Sequence, residues 1–107
     1  MVGPKIISGG GKSRTELEKF ARTFHQDWDL CFPSFREGAL EYFQLSDFTQ
    51  NHILLRELKA FVAQGGTESQ LLQRWHMLGA QAWQRGMPVR EGFEQFIADL
   101  QNYLTSP

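Results

Sequence analysis

The sequence predicts an all-α fold, a single-domain bundle of about five amphipathic helices behind a flexible N-terminal arm. Three observations carry this. Apolar residues recur at helical spacing through most of the chain. Capping signatures and Gly or Pro breakers fall between the periodic stretches. No stretch alternates apolar and polar residues well enough for a strand. The 107 residues suit one domain, divided into an arm at 1–12 and a helical domain at 13–107.

The arm holds Gly3, Pro4 and Gly9-Gly10-Gly11, with the apolar pair Ile6-Ile7 between these breakers. Ser13-Arg14-Thr15-Glu16 then fits a capping box, and Leu17, Phe20, Ala21, Phe24 and Trp28 follow as one apolar stripe. Glu16 and Glu18 fall in the first turn, where the helix dipole favours acids. Pro33 closes the connection and Ser34 caps a second helix with the stripe Phe35, Ala39, Leu40 and Phe43. Ser46 or Thr49 opens a third, through Ile53, Leu54, Leu58, Phe61 and Val62, which Gly65-Gly66 stops. Thr67-Glu68-Ser69-Gln70 is a second capping box, leading Leu71, Leu72, Trp75 and Leu78, with Gly79 near that helix's end. Gly86 and Pro88 punctuate the next loop. The last helix carries Val89, Phe93, Phe96, Ile97, Leu100, Tyr103 and Leu104.

A hydrophobic content of 41% with 21% charged residues places the chain among globular rather than disordered proteins. Its net charge of -1 argues against a general nucleic-acid binder, which needs a clear Lys/Arg excess. No apolar run reaches the length of a membrane span, and there is no apolar signal-peptide core. The single cysteine, Cys31, cannot form an internal disulfide, which points to a reducing compartment. The expectation is a small, soluble, cytoplasmic protein.

Near-neutrality is an average. Residues 1–24 carry Lys5, Lys12, Arg14, Lys19 and Arg22 against Glu16 and Glu18, a net of +3. Residues 25–57 carry Asp27, Asp29, Glu37, Glu41, Asp47 and Glu57 against Arg36 and Arg56, a net of -4. The rest is balanced. An acidic middle of this kind either forms solvated helix faces or steers a basic partner by long-range attraction.

Candidate chemistry is sparse. Gly9-Gly10-Gly11-Lys12-Ser13 has the ending of a phosphate-binding loop, but the glycine such a loop needs earlier is Ile6 here. His25, Asp27 and Asp29 could ligate a metal only if the chain turned, because alternate residues on a helix diverge by about 200°. His52 and His76 lie on other helices, and no pair has the spacing of helical zinc sites. No cofactor is therefore expected. Cys31, between Leu30 and Phe32, reads as a buried thiol, since apolar surroundings raise a thiol's pKa. Trp83, in a polar loop segment, is either tucked over a helix end or an interface anchor.

The most specific string is Phe24-His25-Gln26-Asp27-Trp28-Asp29-Leu30. It resembles the signature FHQDWD of one family of immunity proteins from bacterial contact-dependent growth inhibition (CDI) systems. The order of features over roughly residues 14–104 is similar too: a helix before the signature, an acidic segment with a short helix after it, a long helix ended by Gly65-Gly66, and two more helices. The chain departs from the family after Leu78-Gly79, where Ala80-Gln81-Ala82-Trp83 and later Phe96-Ile97 replace the family's text.

The resemblance implies a cytoplasmic monomer that binds one CDI toxin domain, often a nuclease, and neutralises it by occlusion without catalysis of its own. It assigns His25, Asp27 and Trp28 structural roles. Joined to the charge distribution, it makes Glu37, Glu41 and Asp47 the expected toxin contacts, with Trp83 as an aromatic anchor. Glu37 and Glu41 are four residues apart and share a face if helical. The rival readings are a small metal-dependent helical enzyme using His25, Asp27 and Asp29, and a generic helical adaptor.

Overall fold

A computed structural model describes residues 14–105, so the expected arm at 1–12 and Ser13 lie outside the described residues. Six helices follow in order: α1 Glu16–Arg22, α2 Trp28–Cys31, α3 Phe35–Leu45, α4 Phe48–Gln64, α5 Glu68–Met77 and α6 Val89–Thr105. The described residues contain no strand. The chain is all-α, and its described residues hold one more helix than expected because the stretch holding Phe24 and Trp28 is broken.

Local chemistry explains the helix starts. The box at α1 is Thr15 with Glu18, each side chain bonding the other's backbone N–H at 3.0 and 2.8 Å. It sits two residues beyond the expected Ser13–Glu16 register, which has the same residue types. In this register the Leu17 N–H donates to Glu57 of α4 at 2.8 Å, so a tertiary bond accompanies the choice. Ser34 caps α3 as expected. Asp47, rather than Ser46 or Thr49, caps α4 and forms a box with Gln50 at 2.7 and 2.9 Å. Gly65 ends α4 at φ 73°, where a side chain would be strained. Thr67 and Gln70 make the expected box at α5.

α6 begins differently. Glu68, in the first turn of α5, accepts from the N–H groups of Val89 at 2.5 Å and Arg90 at 3.2 Å. A carboxylate from a neighbouring helix thus serves as the cap and meets the positive end of the dipole. Glu68→Ala is expected to destabilise the chain by about 1 kcal/mol, the usual cost of a lost cap. Urea unfolding measures this, and an unchanged midpoint would show that water replaces the carboxylate at no cost.

α6 packs against α3, α4 and α5, while α1 lies on α4. Between them is an aromatic core in which Phe20, Phe24, Phe35, Phe43, Trp75, Phe93 and Phe96 are all buried. The Phe20 ring meets Phe96 edge-on at 5.0 Å, and Phe61 stacks on Phe93 at 4.0 Å. Offset and edge contacts of this kind add to what area burial supplies. Among the described residues Asn51 is the buried polar one; its amide donates to the Phe43 carbonyl at 2.9 Å, joining the end of α3 to α4.

The expected single stripe from Leu17 to Trp28 does not run on one helix. α1 stops at Arg22, and the Phe24 carbonyl accepts from the N–H groups of Gln81 and Ala82 at 2.9 and 3.1 Å. Gln26 N–H adds a bond to the Gln81 side chain. This long-range clamp uses a carbonyl that a longer helix would have consumed. Trp28 restarts the chain in the single turn α2, its ring edge-on to Phe35 at 4.4 Å. Because α2 lies at the surface, Cys31 is exposed, correcting the expectation of a buried thiol.

Candidate functional site

The outer face of α3 brings two of the sequence-predicted contacts together. Glu37 and Glu41 are both exposed, one helical turn apart, with Leu40 beside them at 41% exposure. Leu45, the last residue of α3, is 81% exposed, and Phe48, the first residue of α4, is 67% exposed. Asp47 is exposed between these two, but its carboxylate already holds the N-terminus of α4. Exposed acids and large apolar side chains therefore alternate along the chain from Glu37 to Phe48.

Beside this strip runs a groove of about 490 Å³ between α3 and α6, lined by Ser34, Glu37, Leu40, Phe43 and Tyr103 and by the pair Arg36–Asp99. Arg36 grips the Asp99 carboxylate with two hydrogen bonds, at 3.0 and 2.9 Å. The planar fork fixes α3 against α6, and the Asp99 hydrogen bond and charge raise the Arg36 pKa further above its already high ordinary value. The cation is neutralised where it stands. The described residues contain one other ion pair, Lys19–Glu16 on α1. No cation of the described residues pairs with Glu37 or Glu41, so their charge remains available to a partner. On the flank of α3, the Tyr42 hydroxyl donates to Glu16 at 3.2 Å, and burial together with that carboxylate pushes the phenol up to about 12.

The other predicted residues lie elsewhere. The Trp83 indole packs on Phe35, Trp75, Phe93 and Phe96 and donates to the Met87 carbonyl at 2.6 Å. A Cβ at Gly92 would collide with this ring, which explains the glycine in the first turns of α6. Trp83 is half-buried and tucked over the core rather than standing on the acidic strip. His25 accepts at Nδ1 from the Asp27 N–H at 3.2 Å, while Asp27 and Asp29 are exposed. His52 lies edge-on to Phe48, and His76 Nδ1 is 3.0 Å from the Ala80 carbonyl. Among the described residues no three His, Cys, Asp or Glu side chains converge in a way that could hold a metal.

Sequence reasoning did not find Leu45, Phe48 or Tyr103 as surface residues. Leu45 and Phe48 fall outside the apolar stripes of their helices, which was a usable signal. Tyr103 sits on the stripe of α6 and gave none. Among the described residues no helix is long and apolar enough to cross a membrane. Compared with known proteins, the chain matches no family model, no curated protein and no solved structure.

Proposed function

We propose that this chain is the immunity protein of a bacterial CDI system, binding the toxin domain of its own system one to one in the cytoplasm and neutralising it by occlusion, without catalysis. The observation that carries the reading is the stretch from α3 to the start of α4, where exposed Glu37 and Glu41, paired with no cation of the described residues, are interspersed with exposed Leu40, Leu45 and Phe48. A toxin that acts on nucleic acid must present a basic surface to hold phosphates. Acids facing that surface raise the association rate and select the partner, while exposed apolar side chains supply the desolvated centre of the contact. A standard interface covers about 800 Å² on each partner.

The signature stretch supports the same reading in another way. Phe24, Gln26 and Trp28 are tied to Gln81, Ala82 and Phe35, so the recognisable residues hold the scaffold and leave α3 to face the partner. Calorimetric titration with the toxin domain encoded immediately upstream is expected to give a complex of one to one stoichiometry. No heat and no complex at micromolar concentration would contradict the proposal.

A further inference from the structure

A second groove, of about 640 Å³, opens between the start of α1, the C-terminal half of α4 and the end of α5. Leu17, Ala60, Phe61, Met77 and Leu78 form the apolar part of its wall. Met77 is 76% exposed, an unusual position for a large apolar side chain beside a concave apolar surface. Arg74 closes one end, stacked over the Phe61 ring at 4.6 Å and donating to the Phe61 and Gly65 carbonyls and to Gln64. Its cation is used up inside the fold. Glu57 lies in the wall and contributes an acid.

We propose that this groove is the docking site of the chain's own N-terminal segment, residues 1–13, with Ile6 and Ile7 as the apolar contacts. Three observations select this occupant. Thr15 itself lines the groove, so the described chain begins at the groove's edge. Seven residues lie between Ile7 and Thr15, and the eight steps along the chain reach up to about 28 Å when extended. Lys5 and Lys12 flank the isoleucines and complement Glu57. The isoleucine pair, set between Pro4 and the glycine run in the sequence, thereby gains a buried place. The partner proposed for α3 plays no part in this.

Met77 oxidation by dilute hydrogen peroxide, followed by peptide mass mapping, tests the proposal on the full chain, because sulfoxide formation follows exposure. Met77 is expected to oxidise several-fold more slowly in the unaltered chain than in the Ile6→Ser/Ile7→Ser variant, with Met87 unchanged as internal reference. Nuclear Overhauser contacts between the Met77 methyl and the Ile6 or Ile7 methyls are expected as well. Circular dichroism checks that the variant stays folded. Equal Met77 rates in the two proteins would overturn the proposal. So would protection that grows with protein concentration, which would make a second copy the occupant.

Discussion

Trp75→Ala is expected to remove about 3–5 kcal/mol of stability, the range for truncating a large buried aromatic residue. Domains of this size hold roughly 5–15 kcal/mol in total, so the variant would be marginal or unfolded at room temperature. The reason is specific to this side chain. Trp75 is fully buried and its rings meet Phe20, Phe24, Trp83, Phe93 and Phe96, residues drawn from α1, α6 and both long loops. Its indole N–H donates to the Ala82 carbonyl at 2.7 Å, on the same short segment whose N–H groups clamp Phe24. Truncation therefore opens a cavity and releases the loop that holds the signature stretch. Trp75→Phe keeps most of the ring volume and loses the hydrogen bond, and should cost less than half as much. Urea unfolding followed by far-ultraviolet circular dichroism reads both values. A loss below about 1 kcal/mol for Trp75→Ala would mean that the aromatic core is not the cooperative centre of the fold.

The second large effect concerns binding rather than folding. Glu37→Lys with Glu41→Lys reverses four units of charge on an exposed helix face, and surface changes of this kind alter stability by about 0.5 kcal/mol or less. Association with a basic toxin domain should nevertheless slow by about tenfold or more at low ionic strength. Raising salt to 0.5 M should bring the two proteins' association rates together, since screening removes the long-range attraction. Stopped-flow association rates across a salt series measure this. Equal rates and equal salt slopes for the two proteins would remove the α3 acids from the encounter.

How much of this was readable in the sequence depended on the range of the interaction responsible. The Thr67–Gln70 box and the Gly65 stop are local devices and appear where their residue types place them. The start of α1 was displaced because two registers, Ser13–Glu16 and Thr15–Glu18, offer the same capping chemistry, and the Leu17–Glu57 bond across to α4 is invisible to local reasoning. The break after Arg22 has the same origin: the apolar period runs on through Phe24 and Trp28, but the Phe24 carbonyl is taken by Gln81 and Ala82. Leu30 and Cys31 look apolar in sequence, yet the single turn that carries them lies at the surface and exposes both. At the candidate site the shared face of Glu37 and Glu41 follows from their spacing alone. The groove beside them does not, because its far wall is Asp99 and Tyr103, brought in by the fold from the other end of the chain.

The central claim is stoichiometric neutralisation, and a toxicity titration tests it most directly. The toxic activity of the domain encoded immediately upstream is measured at fixed concentration while this chain is added from zero to two equivalents. An occluding immunity protein gives a linear fall in activity that ends at one equivalent. Activity that persists beyond one equivalent at concentrations well above the dissociation constant, or that vanishes with a small fraction of an equivalent as a catalyst would achieve, would contradict the account.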